Sequence, residues 1–543
     1  MSDKRHSIIG AMCHYAARKP IRMHMPGHKG KKAFSSSSGA EPTPQWANAL
    51  LDELRAIDMT ESPGLDNLHY PTGCIREVER RAERLYGSAR TYMLVNGATS
   101  GIQASLLATR MTLGAGNIIL PRNVHKSMVT AMAMSGLEPV YVWPEYDRRL
   151  GGHLPLDAHG VRKALESQMS GQIEVSPRAV LVLNPTYSGF ARNLTEIADL
   201  VHSCGALLIV DEAHGSHFGL GSGLPPSALE CGADLVVHGA HKTTVAFTQT
   251  AFLHVGPQTP ERFPALLPAV EEALRAVQTT SPSYILLASL EQAIANLEKD
   301  GGAWVSRGVS SALEVSRRLA KIPGLSVAGY DPSAPIPQGL SHDPGRVLID
   351  VSGLGISGPE AAHYLITEKK IDPEMTGPQF LLLIWTGADG LESVEAVEAA
   401  FKDLAARFFG SDTERQAAEA RDEAATAEAV SDEDCTHSLL LQEAPRPKRV
   451  MSLREAFLSV SEPVPIRESV GRISSDTVVI YPPGSPLITP GEVIDGDTVE
   501  YILQAKEAGL NVLGRGVDNG QSQVNVYCVS HAYEKASDCV ASS

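Results

Sequence analysis

The chain lacks the features that would place it in a membrane, in an oxidising compartment or along a nucleic acid. No uninterrupted apolar stretch approaches the ~20 residues that cross a bilayer. The first 30 residues run from a polar, weakly amphipathic start into a basic patch, without the apolar core of a secretory signal. The seven cysteines (Cys13, Cys74, Cys204, Cys231, Cys435, Cys528, Cys539) are odd in number, scattered and form no C-x-x-C pair, so neither a disulfide framework nor a structural zinc site is expected. Positive charge is short: 47 Lys and Arg face 63 Asp and Glu, a formal charge of −16 that disfavours a coat for nucleic acid or anionic lipid. With no G-x-x-x-x-G-K-[ST] loop either, a cytoplasmic enzyme or scaffold remains, and 543 residues allow about three to four domains.

Residues 1–61 read as an N-terminal arm, because Pro, Gly and Ser cluster in Met25–Pro44 without a sustained period. Ile75, Val78, Ala82 and Leu85 recur at helical spacing in 74–86, and Gly87 supplies a stop. Short Val/Ile/Leu runs then alternate with helix-length segments: Asn117–Leu120, Pro139–Trp143, Ala179–Leu183, Ala206–Val210, Leu235–Val237 and Ala251–Val255. Near-continuous apolar runs suit strands covered on both faces, so residues 62–300 are expected to form an α/β domain around a mostly parallel sheet. Residues 301–410 read as a small α+β domain. From Ser411 to Asp434 nine acidic residues stand against two arginines, with one large aliphatic residue, and 411–447 is expected to be a solvated linker. A C-terminal α+β domain is expected over 448–543.

The most informative stretch is Ala206-Leu-Leu-Ile-Val-Asp-Glu-Ala-His-Gly215, followed 31 residues after Asp211 by Lys242 in His238-Gly-Ala-His-Lys-Thr-Thr244. Both polar groups emerge just after strand-like runs, which predicts that Asp211 and Lys242 share one rim of the sheet. A carboxylate there needs a cationic partner such as a protonated ring nitrogen, and a desolvated lysine is a candidate imine-forming nucleophile. Pyridoxal phosphate would use both, together with a stacked flat group and a phosphate cup. His125 in Arg122-Asn-Val-His-Lys-Ser127 is the candidate stacker. Asn96-Gly-Ala-Thr-Ser-Gly101 is the candidate cup, with Ala98, Thr99 and Ser100 opening a helix toward the anion.

These residues resemble the Orn/Lys/Arg decarboxylase family of fold-type I pyridoxal phosphate enzymes over nearly the whole chain. Further matching pieces are His24-Met-Pro-Gly-His-Lys-Gly30, Asn184-Pro-Thr-Tyr187, Thr280-Ser-Pro-Ser-Tyr284, and Tyr481-Pro-Pro-Gly484 with Pro490-Gly-Glu492. The resemblance implies a fold-type I large domain, a small α+β domain and a C-terminal α+β domain. It implies that Lys242 bonds the cofactor, Asp211 pairs with its ring nitrogen, His125 stacks on one face and Ala213 packs on the other. Thr99 and Ser100 would hold phosphate, His241 would lie beside the lysine, His214 would lie near the phenolic side, and Thr186 and Gly239 would complete the cofactor site. The implied activity is decarboxylation of arginine, lysine or ornithine by a homodimer or larger homo-oligomer. Glu374, Glu492 and Asp497 are candidates for the substrate's distal cation.

Two departures from the family pattern matter. Gly239 stands where the family usually has Ser, after His238 where Gln or Ser is common, and Ser485 replaces an apolar residue. An aminotransferase or eliminase on the same fold, or an inactive scaffold, is the competing expectation. Gly353-Leu-Gly-Ile-Ser-Gly358 satisfies G-x-G-x-x-G but lacks a convincing acid about 20 residues on, so a strand–turn–helix joint is expected instead of a dinucleotide site. Asp211-Glu-Ala-His214 mimics a helicase box without a phosphate loop. His214 and His217 lack a third metal ligand at suitable spacing, and no metal is expected.

Overall fold

The computed structural model describes residues 7–31, 45–147, 152–169, 177–299, 302–331, 335–408, 444–481, 484–507, 510–517 and 524–530. The acidic stretch 411–434, Pro482 and Pro483 lie outside them. Seven strands form the main sheet: β1 (Arg90–Leu94), β2 (Asn117–Pro121), β3 (Glu138–Val142), β4 (Ala179–Leu183), β5 (Leu207–Asp211), β6 (Leu235–His238) and β7 (Ala251–Val255), in the order β1-β7-β6-β5-β4-β2-β3. β6, β5, β4, β2 and β3 run parallel, while β7 and β1 close one side antiparallel.

The uniform apolarity of these strands has a direct cause. Successive side chains point to opposite faces, and the alternation sends Ile119, Val180, Val182, Leu208 and Val210 into one buried cluster. Ile118, Leu120, Leu181, Leu207 and Ile209 enter the other. β1 was not evident in the sequence because Arg90-Thr-Tyr-Met-Leu94 looks half polar. Its Arg90 pairs with Glu79 at 2.9 Å and Glu83 at 3.0 Å, and the Thr91 hydroxyl meets His254, so the strand is buried with its polar groups satisfied.

The N-terminal segment contains two helices, α1 (Ile8–Ala17) and α2 (Gln45–Ile57), where only an arm was expected. The Ser7 hydroxyl caps α1 by accepting from Gly10 N–H, a typical N-cap bond. Ile8, Ala11, Met12 and Tyr15 are buried with α3 (Cys74–Tyr86) and the helix Tyr284–Lys299. α3 itself is capped by Asp66, whose carboxylate accepts from the amides of Thr72, Gly73 and Ile75.

The smaller sheet is four-stranded and antiparallel, ordered Ser326–Val327, Arg346–Asp350, Phe380–Ile384, Met375–Thr376. Gly353–Gly358 is a strand–turn–helix joint: Ser357 and Glu360 form a capping box, and a methyl group on Gly358 would lie 2.2 Å from the Gly377 carbonyl. Among the described residues no helix is long and apolar enough to cross a membrane.

In the C-terminal region Val478–Tyr481 lies between Ser485–Ile488 and Asn511–Leu513. Arg122, at the end of β2, anchors this region. Its guanidinium holds Glu492 bidentately at 2.5 and 2.8 Å and donates to the carbonyls of Pro486 and Leu487, with the whole cluster buried. Removing one partner of such a pair strands a buried charge and costs about 3–5 kcal/mol, whereas replacing both by apolar residues is often close to neutral. Glu492→Leu is therefore expected to lower the urea midpoint sharply, and Arg122→Met combined with Glu492→Leu to recover most of the loss. Additive losses in the double variant would contradict this account.

Candidate active site

Parallel strands β5 and β6 are adjacent, with Asp211 in register with Val237. Asp211 ends β5, and its place in the alternation points it to the face of Leu207 and Ile209, the face covered by α4 (Gly97–Leu113). β6 ends at His238, and after Gly239 a single helical turn, Ala240–Thr243, carries Lys242 back over the same rim. The two loops are stitched together by Gly239 N–H donating to the Ala213 carbonyl. The structure thus brings Asp211, Ala213, His214, Gly239, His241 and Lys242 to one sheet edge.

His125 faces this edge from the loop after β2. Its imidazole is held below its ordinary pKa, chiefly by the protein packed around it; Asp211 opposes the shift, and Lys242 and Lys126 add to it. The one ring thus feels both Asp211 and Lys242. Lys242 is lowered as well: burial dominates, Arg346 adds to it, and Asp211 and Glu374 oppose it. Lys242 Nζ lies 2.8 Å from His214 Nε2. Burial, followed by Lys242 and Arg346, pushes His214 well below its usual pKa. A neutral imidazole beside an amine shifted toward its free form favours the lysine as a nucleophile.

The loop after β1 enters α4 with no side-chain cap on Asn96 and no acid in the first turn; Gly97 N–H is taken by the Gln249 carbonyl, and the amides that follow it face an anion without a competing carboxylate. Thr99 is exposed there, while the buried Ser100 hydroxyl donates back to the Gly97 carbonyl. Gln249, at φ 80°, bridges this loop to the lysine turn: its carbonyl accepts from Gly97 N–H and its side-chain amide donates to the Val95 carbonyl. The next residue, Thr250, accepts from His241 Nδ1 at 2.9 Å. Gln249 carries no signal in the sequence, since its role depends on a left-handed backbone. Gln278, which accepts from Val95 N–H, carries no signal either, because its partner lies far away in the sequence.

A side chain at Gly239 would be crowded on two sides. A methyl group there would lie 2.7 Å from the Ala213 carbonyl oxygen and 3.1 Å from Lys242 Cδ. Thr186 sits in a tight turn, its hydroxyl accepting from Phe190 N–H. Tyr187, from the same motif, packs its ring 4.6 Å from that of His214 and hydrogen-bonds Glu374. Of the three acids expected to meet a distal cation, Glu374 is the one that acts on the Lys242 amine. Both Glu492 oxygens are committed to Arg122 and to Thr489 N–H, so its place beside the substrate is corrected to a structural one. Asp497 is exposed in the first turn of Gly496–Glu507.

From the small sheet Arg346 reaches across to this rim. It is fully buried, donates from one terminal nitrogen to the His214 carbonyl at 3.2 Å and ring Nδ1 at 3.3 Å, and leaves Nε and the other terminal nitrogen without partners among the described residues. Asp343 meets His217 at 3.2 Å; burial raises its pKa, yet His217, with Arg346 assisting, holds the carboxyl well below the usual range. The arrangement as a whole fits a flat cationic ring with an anionic tail: an acid, an amine, a facing imidazole and uncapped helix amides converge on one edge.

Behind the rim a second set of groups is fully buried. Burial raises Glu212 well above its ordinary pKa and lowers His238 to about 3, so both shifts favour the uncharged forms across their 2.8 Å contact. The chain continues from His238 Nδ1 to His254 at 3.1 Å, then to Thr91 and Ser88. Each histidine accepts at Nε2 and donates at Nδ1, so one orientation satisfies every link.

A family model described as "Orn/Lys/Arg decarboxylase, major domain" matches residues 7–329, and one described as the C-terminal domain of the same family matches residues 437–528. An arginine decarboxylase of Bacillus anthracis is 32% identical over 520 residues, covering 95% of this chain and 96% of its own. A lysine decarboxylase of Pseudomonas aeruginosa is 25% identical over 89% of this chain and 73% of its own. Among solved structures, lysine decarboxylase A of Pseudomonas aeruginosa superposes with a TM-score of 0.78 at 20% identity, covering 97% of this chain and 81% of that one. The constitutive lysine decarboxylase of Escherichia coli gives 0.75 at 19% identity, covering 96% and 82%. The fold is that of the fold-type I decarboxylases.

The buried histidine has a measurable consequence. Folded His238 stays neutral down to about pH 3, whereas in the unfolded chain it takes up a proton near 6.5. At this group the unfolded state therefore binds the extra proton across that window, so the stability contributed by His238 is lost as pH falls from 6.5 toward 3, while the raised Glu212 contributes in the opposite sense. His238→Gln keeps one donor and one acceptor without this titration, and is expected to flatten the acid limb of a plot of Tm against pH. An acid limb as steep as in the parent protein would contradict the assignment.

Proposed function

Because the chain belongs to the Orn/Lys/Arg decarboxylase family, we propose that it is a pyridoxal phosphate-dependent decarboxylase that converts a basic L-amino acid to its amine and carbon dioxide. The observation that carries this reading is the placement of Asp211 and the depressed Lys242 amine on one rim, both acting on the His125 ring. Greater likeness to arginine decarboxylases than to lysine decarboxylases favours arginine as the substrate.

In this reading Lys242 bonds the cofactor, Asp211 keeps a proton on its ring nitrogen, and His125 and Ala213 sandwich the ring. The amides of Ala98, Thr99 and Ser100 with the Thr99 hydroxyl take the phosphate, and Thr186, His214 and Gly239 complete the walls. When bound, pyridoxal phosphate supplies an electron sink for the pair released as carbon dioxide leaves. Lys242 Nζ, or His214 beside it, then delivers the proton to the substrate Cα, and His241 holds the lysine turn through Thr250. Glu374, exposed at the mouth and fixed by Tyr187, meets the substrate's distal cation. A homodimer belongs to the same reading. Exposed Ile21, Met23, Met25 and Trp46 offer apolar surface for a second copy.

One observation favours a second reading. Arg346 is a buried guanidinium with two free donors beside Lys242, the kind of group that retains a substrate carboxylate in an aminotransferase. Incubation with Arg, Lys and Orn plus pyridoxal phosphate is expected to release carbon dioxide and amine; keto acid without carbon dioxide would establish the second reading. Lys242→Ala is expected to lose both the visible absorbance of lysine-bound cofactor and turnover, and normal turnover would refute the assignment. Glu374→Gln is expected to raise KM for the basic substrate about tenfold, as loss of a charge-assisted contact worth roughly 1.5 kcal/mol implies, with a smaller change in kcat. An unchanged KM would remove Glu374 from the substrate site.

A further inference from the structure

Arg346 comes from the small sheet, yet its strongest contacts are with the catalytic loop. One terminal nitrogen donates to both the carbonyl and ring Nδ1 of His214, at 3.2 and 3.3 Å. A guanidinium has only donors and stays charged. His214 Nδ1 must therefore offer its lone pair, which puts the imidazole proton on Nε2. That Nε2 lies 2.8 Å from Lys242 Nζ. An ammonium has no lone pair to receive an N–H, whereas a free amine has one. The three residues are mutually satisfied in one protonation pattern only.

We propose that Arg346 is a positioning residue that selects the Nε2–H tautomer of His214 and, through it, favours Lys242 as the free amine in the cofactor-free protein, before the lysine bonds the cofactor. The other groups facing the pair are Asp211 and Glu374, which favour the charged amine, and His125 and His241, which oppose a positive charge on His214. Tyr187 packs on the His214 ring, and Asp343 and His342, in the segment before the Arg346 strand, act on Arg346. The shifts of Lys242 and His214 agree in direction with the geometry, because both are driven to the neutral form. The device spans two parts of the fold, so the amine is tuned only when the small sheet is seated against the catalytic loop.

The inference rests on the proposed bond between Lys242 and pyridoxal phosphate. The test strips the full-length protein of cofactor and follows recapture of added pyridoxal phosphate by its visible absorbance across pH, a readout independent of turnover. Capture needs the free amine, so its rate falls below the lysine pKa, about tenfold for each unit by which that pKa rises. Arg346→Met is expected to shift the profile up by about one unit or more, slowing capture roughly tenfold at pH 7. His214→Phe, with Arg346 intact, is expected to shift it in the same direction, and Arg346→Lys to fall between the parent and Arg346→Met. If Arg346→Met moves the profile and His214→Phe does not, the arginine acts by charge alone and the relay is overturned. If neither moves it, Arg346 has no role in tuning the amine. Should Arg346→Met fail to fold by circular dichroism, His214→Phe and Arg346→Lys decide between these outcomes. A parent protein that captures no cofactor would instead refute the lysine–cofactor reading itself.

Discussion

Two neighbouring parallel strands must deliver their following loops to the same edge of a sheet, and the site depends on that constraint. The β5–β6 register sets Asp211 opposite Val237, and one short turn later the chain returns Lys242 to the same edge. The loops approach so closely that Gly239 donates to the Ala213 carbonyl and has no room for a side chain. An acid and an amine 31 residues apart in the sequence are thereby brought to one edge, although the connection between their strands runs from 212 to 234. The helix amides of α4 reach the same edge because β1 pairs antiparallel with β7, so the loop leaving β1 meets the loop entering β7, where Gln249 ties the two together.

Burial then decides what each charged group is for. Arg122 and Arg346 are both buried guanidiniums, but their surroundings differ. Arg122 is matched by Glu492 and two carbonyls, with its charge neutralised and its donors used, which suits a residue that fastens one part of the fold to another. Arg346 has no such carboxylate among the described residues and retains unpartnered donors beside the reactive amine. A buried charge without a partner is costly, so its retention at this rim points to chemistry more than to packing. Glu212 and His238 solve the problem another way, by sharing a proton between neutral groups behind the sheet.

The apolar strands and most long helices could be read from the residues because their signal is local. Continuous Val, Ile and Leu mark a strand buried on both faces, and the period of 74–86 marks an amphipathic helix. β1 and the helix Ile8–Ala17 were hidden because their burial depends on distant partners. Arg90 needs Glu79 and Glu83, and α1 needs α3 and Tyr284–Lys299. The same division runs through the site. Asp211 and Lys242 stand out by following apolar runs, whereas Gln249 and Gln278 act through backbone geometry that no residue pattern announces.

What the amino-acid order determined by itself was the chemistry available: a lysine and an aspartate after adjacent buried strands, a glycine-rich helix start and an ordered set of family motifs. Tertiary structure decided which acids and bases are free to act. It committed Glu492 to Arg122, brought Glu374 toward Lys242, and set Arg346 against His214. Strand identity is encoded within a few residues, but the protonation state of a buried side chain depends on charges and donors that the fold brings from hundreds of positions away.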